Sequence, residues 1–357
     1  MKNLSARRAL AGISLGALAT VGLVGVPTPA HAQMEGAWTG GAVDIDHHYD
    51  DGCEESGDFN DGFEEEWTDN GAPHTGTASG TATITAGEGD VVDAASSYSS
   101  TVTSTPLGAG PATITGNVTA SASAQARQAE TDCNVEVEAY GEAYGSFTLT
   151  QPMWVTVTLT SDSQRQGGAG GSIMATVGNA SLLGGGVPVR RLVDEPQSDG
   201  LAAGVGNRGT SSASTLFPAG RYYLLTYSRA YAEASDDREG SIAYTGNFRI
   251  DFQTPGTGSA VTGKGAPKVQ FGPRDCANGN VPVSLSKKTV KKSKRVVVRV
   301  NGAKASVLKG KKLSGKKPKA KTLVLPTNPA SVAKVKVKIT QKNGRRVQAT
   351  RSYVPCR

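Results

Sequence analysis

The sequence predicts an all-β protein: an acidic β-sandwich or jelly-roll-like domain, then a small basic β-sandwich, after a cleaved signal peptide. Three observations support this prediction. Short segments rich in Thr, Ser and Val are separated by Gly-rich breaks, which is typical of many short strands. Long amphipathic helical patterns are absent from the sequence. Charge divides the chain into an acidic and a basic part.

Residues 1–32 have the parts of a secretory signal peptide in their usual order. A positively charged start precedes an uncharged, mostly apolar stretch over Ala9–Val26, and Ala30–Ala32 supplies a small-x-small cleavage pattern. A membrane anchor is the alternative. The Arg7-Arg8 pair leaves the export route open between the general and twin-arginine pathways. No later apolar run approaches the ~18–20 residues that a spanning helix needs, so we expect no transmembrane segment in the mature chain.

Four cysteines remain after the predicted cleavage, and an even number in an oxidising compartment favours two disulfides. Four cysteines allow three connectivities. The pairing Cys53–Cys133 with Cys276–Cys356 is favoured because a domain boundary falls between the two pairs. Free or metal-binding thiols are the alternative, although no Cys-x-x-Cys spacing supports them.

The net charge of +7 conceals a strong asymmetry between the two parts of the chain. Residues 33–263 contain nine Arg, no Lys and 30 acidic residues, which gives −21. Residues 264–357 contain 26 basic residues and a single acid, Asp275, which gives +25. This asymmetry predicts two units with different partners, or two halves that attract each other.

The first part of the mature chain divides into an arm and a domain. Residues 33–75 hold 13 acids with poor hydrophobic periodicity, which predicts an irregular acidic arm. Residues 76–254 predict a β-sandwich domain. Its clearest strand is the segment from Val135, where apolar residues alternate with Glu136, Glu138 and Tyr140.

Three segments of this domain resemble strands of a known module. They are Ser146–Val155, the turn and strand at Phe217–Leu224, and Tyr244–Ile250. Together they make residues 146–252 similar to the pre-peptidase C-terminal type of secreted bacterial β-sandwich. The resemblance implies a non-catalytic module of the kind that usually accompanies a catalytic domain.

A Gly-, Thr- and Ser-rich linker is predicted at 255–265, followed by a basic domain at 266–357. Strands are expected at residues 268–271, 281–285, 295–300, 321–325, 334–340 and 346–353. The Asn343-Gly344 pair is a strong hairpin signal between the last two. With its Thr350–Tyr353 and Cys356 ending, this domain resembles the basic immunoglobulin-like modules that end some secreted Gram-positive surface proteins.

The acidic arm contains candidate metal ligands at alternating positions, namely Asp44, Asp46, His48 and Asp50. Calcium would take the oxygen atoms, and zinc or copper would take the imidazole. The EF-hand pattern is not present. A solvated acidic arm is the simpler interpretation, and loose calcium binding is the alternative.

No catalytic constellation is found in the sequence. Two Ser-x-x-Lys matches, at Ser306 and Ser331, lack the companion motifs of a penicillin-binding site, and there is no Gly-x-Ser-x-Gly elbow. We therefore expect no cofactor and no enzymatic activity.

The basic domain offers the clearest functional hypothesis, because a unit with a charge of +25 attracts anionic partners. Outside a Gram-positive cell these would be anionic wall polymers such as teichoic acids. Specific nucleic-acid binding is not expected, since interleaved aromatic residues are missing. The candidate polymer-binding residues are Lys287, Lys288, Lys291, Lys292, Lys294, Lys311, Lys312, Lys316 and Lys317.

We therefore expect a non-enzymatic, secreted, envelope-associated protein whose basic domain holds it to wall polymer. The alternative is a carbohydrate- or calcium-binding recognition module. Its sugar-stacking surface would use tyrosines that otherwise fill the sandwich core or its rim, namely Tyr222, Tyr223, Tyr227, Tyr231 and Tyr244.

Overall fold

The computed structural model describes residues 32–47, 52–60, 62–86, 89–107, 111–128, 133–179, 200–235, 239–313 and 319–357. The predicted signal peptide lies outside these residues except for Ala32. Two separate hydrophobic cores are present, one in residues 32–253 and one in the C-terminal part. The all-β sandwich prediction is confirmed.

The first domain is a sandwich of two antiparallel sheets. Its strands are β1 (Ala32–His47), β2 (Glu54–Asn60), β3 (Gly62–Glu66), β4 (Pro73–Thr85), β5 (Val91–Ser104), β6 (Ala112–Ala126), β7 (Val135–Leu149), β8 (Met153–Gly167), β9 (Ala169–Asn179), β10 (Leu201–Val205), β11 (Gly209–Phe217), β12 (Gly220–Ala234) and β13 (Gly240–Gln253). The six-stranded sheet has the order β10-β9-β12-β7-β1-β3, and the seven-stranded sheet has the order β11-β8-β13-β6-β5-β4-β2.

The core of this domain lies between the two sheets. Long strands with alternating burial, such as β5 and β7, present one face to it and the other to solvent. Phe147 of the six-stranded sheet packs edge to face against Phe252 of the seven-stranded sheet, with ring centroids 5.0 Å apart. The Cys53–Cys133 disulfide joins the residue before edge strand β2 to the segment before central strand β7. It therefore ties the two sheets together.

The second domain is a smaller sandwich. Its elements are β14 (Val269–Phe271), β15 (Val281–Leu285), the helix α1 (Lys287–Lys292), β16 (Ser293–Val300), β17 (Ala303–Lys309), β18 (Lys321–Leu325), β19 (Ala333–Gln341) and β20 (Arg346–Tyr353). One sheet has the order β14-β15-β18 and the other β17-β16-β19-β20. The second disulfide, Cys276–Cys356, closes this domain. Both disulfides have the pairing that the sequence favoured.

The prediction of an irregular arm at 33–75 is wrong, because this segment supplies β1, β2, β3 and the start of β4. β1 pairs with β7 along its whole length. Its periodicity is hard to detect because the inward positions include Thr39 and Gly41, which do not count as hydrophobic.

The prediction of a linker at 255–265 is also wrong. Backbone N–H groups of this segment donate to β20 and the chain after it: Gly256 to Pro355, and Thr262 to Thr350. The segment is rich in Gly and Thr because it runs close against β20. It therefore belongs to the second domain.

The segment 146–252, which resembles a pre-peptidase C-terminal module, is not a closed unit. β7 pairs with β1 on one side, and β13 pairs with β6. Both sheets therefore depend on strands that precede residue 146.

Candidate functional site

The four-stranded sheet of the second domain has an apolar inner face and a basic outer face. Along β19, Val335, Val337 and Ile339 are buried, while Lys336 and Lys338 point to the other side. In β16, Val296 and Val298 are buried in the same way. Because side chains alternate across a strand, every lysine or arginine between these apolar positions reaches the outer face.

Strand register aligns these cations in rows across the outer face. Arg295 lies opposite Lys309 of β17 and Thr340 of β19, and Thr340 lies opposite Arg346 of β20. In a parallel row, Arg299 lies opposite both Lys304 and Lys336. Neighbouring strands are ~4.8 Å apart, so the positive charges are closely spaced.

A basic groove of about 840 Å³ runs over this face, with Val297 in its floor. Its basic lining residues are Lys264, Arg295, Arg299, Lys304, Lys338 and Arg346. No acidic side chain from the described part of the chain lines it. The single acid of the domain, Asp275, accepts hydrogen bonds from its own loop at Ala277 and Asn278. Among the described residues of this domain, no ion pair neutralises a groove cation.

Most of the lysines that were predicted from the sequence to bind polymer lie outside the basic groove. Lys287, Lys288, Lys291 and Lys292 are exposed on α1, whose first turn is capped by the Ser286 hydroxyl. Lys294 and Lys312 are also exposed, and none of these six lines the basic groove. Lys316, Lys317 and the side chain of Lys311 lie outside what the structure describes.

A second groove lies on the outer face of the six-stranded sheet of the first domain. This acidic aromatic groove has a volume of about 730 Å³ and lies over strands β1, β3, β7 and β12. Its lining combines aromatic rings with carboxylates, namely Trp38, Tyr140, Tyr227, Asp44, Glu64, Glu138 and Glu142, around small residues that include Gly40, Ala42 and Gly62.

Strand register explains the shape of the acidic aromatic groove. Gly40 of β1 lies between Glu142 of β7 and Glu64 of β3, and Tyr227 of β12 lies on the far side of Glu142. Since Gly40 has no side chain, Glu142 and Glu64 face each other across a gap two strand spacings wide, or ~10 Å. One end of the gap is closed by Trp38, which stacks on Tyr144 with ring centroids 6.1 Å apart.

The floor of this groove is supported from the core by one tyrosine. Tyr98 of β5 inserts its ring beneath Gly41 and Gly141, which are paired residues of β1 and β7. Its hydroxyl shares a 2.8 Å hydrogen bond with Ser228 of β12, and burial raises its pKa. Both glycines are needed because a Cβ at either position would overlap the Tyr98 ring.

The electrostatics of the acidic aromatic groove are strongly negative. Burial and the nearby charge of Glu64 raise the pKa of Glu142. No ion pair or hydrogen bond to the Glu142 carboxylate is found within the described part of the chain. Arg229, the nearest cation in the register, is already engaged by Glu136 and Glu138 and lies over the Tyr231 ring at 4.9 Å.

The predicted metal ligands are not brought together by the described residues. Asp44 and Asp46 are exposed on the outer face of β1, and Asp44 lines the acidic aromatic groove. Strand alternation buries Ile45 and His47 on the other face of β1, and the His47 Nδ1 atom lies 3.6 Å from the Glu55 carboxylate. His48 and Asp50 lie outside the described residues. No cluster of three metal-ligating side chains occurs in the part that the structure describes.

The five tyrosines proposed as a sugar-stacking surface divide into two groups. Tyr222, Tyr223 and Tyr244 are buried, and burial raises the pKa of Tyr244 to about 12. Tyr227 and Tyr231 remain on the outer face beside the groove. Trp38, Tyr140 and Glu142 are groove residues that the sequence does not predict. The only signal available was that Tyr140 and Glu142 lie two positions apart on a strand with clear alternation.

Comparisons with known proteins leave the function open. No protein-family model matches the chain, and no curated protein matches it. Among solved structures, the chain is similar to the adhesin domain of Epf from Streptococcus pyogenes, with 13% sequence identity, coverage of 59% of this chain and 74% of that chain, and a TM-score of 0.16. A likeness at that TM-score carries no argument about function. Within the described residues, no helix is long and apolar enough to span a bilayer.

Proposed function

We propose that this chain is a secreted, non-enzymatic binding protein whose second domain binds linear anionic polymers along the basic groove. The observation that supports this proposal is the cluster of six groove cations with no acid among them. A linear polymer with regularly spaced phosphates or sulfates could contact several of these cations at once. Wall teichoic acid is the expected natural polymer if the chain is exported by a Gram-positive cell.

The physical basis of such binding is the release of counterions from the polymer. Each phosphate that a cation neutralises frees a condensed ion, so affinity falls steeply as salt rises. This mode needs charge density and not sequence recognition. It fits a sheet face on which Arg299 and Lys338 project from a rigid backbone.

Exposure outside the cell fits the two disulfides, which persist in oxidising compartments. The polymer-bound second domain would then hold the first domain at the cell surface, where its acidic aromatic groove faces solvent.

The test compares three double variants of the chain from residue 33. Polyglycerol phosphate is immobilised, and affinity is measured at about 150 mM salt, near physiological ionic strength. The groove variant Arg299→Gln/Lys338→Gln removes two groove cations on the neighbouring strands β16 and β19. The helix variant Lys287→Gln/Lys291→Gln tests the lysines selected from the sequence. The control Lys319→Gln/Lys321→Gln removes two exposed charges outside the groove.

We expect the groove variant to lose about 30-fold in affinity, at ~1 kcal/mol for each contacting cation. The helix variant and the control should each lose less than about threefold, since only the diffuse field changes. Equal losses in all three variants would mean that net charge alone attracts the polymer. A loss confined to the helix variant would move the site to α1.

A further inference from the structure

The acidic aromatic groove of the first domain has a built shape that polymer binding by the second domain does not use. Its floor is formed where Gly40 and Ala42 of β1 lie next to Gly62 of β3. Its walls are taller side chains of the flanking strands, among them Tyr140 and Tyr227. The ring of Tyr98 supports the floor from below, so the groove is part of the packed sandwich and not a gap between mobile loops.

Charge is the first property that restricts the ligand. Asp44, Glu64 and Glu142 line the groove, and within the described residues none of the three has an Arg or Lys partner. The burial of Glu142 opposite Glu64 is unfavourable when both carboxylates are ionised. A bound cation would relieve this repulsion, whereas a neutral sugar would not.

The aromatic rings are the second property that restricts the ligand, and they favour an organic cation over a metal ion. Trp38, Tyr140 and Tyr227 present ring surface to the groove, and Trp38 is fixed by its stack on Tyr144. Ring faces attract ammonium groups through cation–π interaction, with Trp the strongest partner. A hard metal ion would require several converging oxygen atoms instead, and no such cluster occurs in the described part.

We infer that the acidic aromatic groove binds an organic ammonium group, held between Glu142 and Glu64 against the rings of Trp38, Tyr140 and Tyr227. The ammonium group could belong to a small amine or to a lysine side chain of a protein partner, and these share the same chemistry. The inference does not depend on the polymer-binding proposal, because the two grooves lie on different domains.

The experiment measures binding by calorimetry to the chain from residue 33. The cationic probes are choline and Nα-acetyl-lysine methylamide. The neutral probe is 3,3-dimethylbutan-1-ol, which has the shape of choline without its charge. Calcium chloride and a neutral oligosaccharide test the two other ligand classes.

We expect at least one ammonium probe to bind at least tenfold more tightly than the neutral probe. Of choline and the lysine derivative, the tighter binder identifies the source. The Glu142→Gln and Trp38→Ala variants should each weaken this binding at least fivefold. The matched control Glu54→Gln, an exposed acid on β2 of the other sheet, should leave it unchanged.

Several results would overturn the inference. They are equal affinity for choline and its neutral analogue, tighter binding of calcium or oligosaccharide than of either ammonium probe, and no binding of any probe. Polyglycerol phosphate binding by the Glu142→Gln variant should equal that of the parent chain. A failure of the ammonium site is therefore distinguishable from a failure of the polymer site.

Discussion

The contact between Tyr98 and Gly41 allows a quantitative test of how the acidic aromatic groove is supported. A Cβ added at Gly41 would lie 2.5 Å from the Tyr98 Cε1 atom and 2.8 Å from the Phe63 Cε1 atom. Both separations are shorter than real Cβ atoms show. Gly41 does not have a positive φ, so alanine meets no backbone strain there.

Two opposing effects determine the result of Gly41→Ala. Reduced entropy of the unfolded chain would stabilise the protein by ~0.4–1 kcal/mol. Overpacking against the Tyr98 ring costs ~1–3 kcal/mol. We therefore expect a net destabilisation of about 1–2 kcal/mol. By contrast, Tyr98→Ala empties a fully buried ring site and should cost ~3–5 kcal/mol.

The double variant Gly41→Ala/Tyr98→Ala tests whether the cost of Gly41→Ala comes from the contact with the Tyr98 ring or would arise from any side chain at position 41. Once the Tyr98 ring is removed, the added methyl group still meets the Phe63 Cε1 atom at 2.8 Å, but the Phe63 ring can shift into the vacated space, so Gly41→Ala should lose most of its cost. The coupling energy between the two substitutions is then at least about 1 kcal/mol.

Urea unfolding of the four proteins measures this coupling, with unchanged m-values as the condition for comparing midpoints. Effects that add within ~0.5 kcal/mol would refute the packing explanation. Tyr98→Phe is the matched control. It keeps the ring and removes only the hydrogen bond to Ser228, so it should cost about 1 kcal/mol and preserve the clash.

Three further predictions concern the disulfide, the buried carboxylate and the basic groove. Replacing Cys276 and Cys356 by serine opens a loop with a sequence separation of 80 and should cost ~4.5 kcal/mol in urea unfolding, whereas an unchanged midpoint would contradict the chain-entropy argument. The pKa of Glu142 is raised in the folded state, so its ionisation opposes folding: Glu142→Gln should raise Tm at neutral pH, and the gain should vanish as pH falls below the ordinary carboxyl pKa of ~4.3. A gain in Tm that persists in acid would exclude this cause. Finally, Arg299→Gln/Lys338→Gln should reduce the slope of log affinity against log salt by ~1.4, at ~0.7 for each cation, and an unchanged slope would place both residues outside the contact.

The second domain could be predicted well from sequence because its signals are local. The expected strands at 281–285, 321–325 and 346–353 match β15, β18 and β20. The alternation of Val and Lys in β19 places its cations on one face. β17 was missed although Asn301-Gly302 precedes it. Asn301 and Gly302 both have positive φ, which is the backbone of a two-residue hairpin.

The first domain is harder to predict, because its main contacts join residues that are far apart in the sequence. β1 contacts β7 about one hundred residues later, and its inward glycine is matched to Tyr98 of the opposite sheet. Neither partner is visible from the local pattern of β1. For the same reason, the facing of Glu64 and Glu142 across Gly40 could not be anticipated from the sequence. The doublets of lysine drew attention to α1, whereas the basic groove is assembled from separate cations on four strands and from Lys264.

The pairing of the former linker with the end of the chain has a consequence for the modularity of the second domain. Gly256 donates to the Pro355 carbonyl and Val354 donates to the Thr257 carbonyl, so the first and last residues of this domain lie close together. The Cys276–Cys356 bond lies beside the same point, since a Cβ on Gly256 would be 2.6 Å from the Cys276 sulfur. A unit closed in this way can be inserted into a surface loop of another protein or circularly permuted without disturbing its core. Any excised fragment should therefore begin at Gly256 and not at Lys264, because the later start would remove the chain that covers β20.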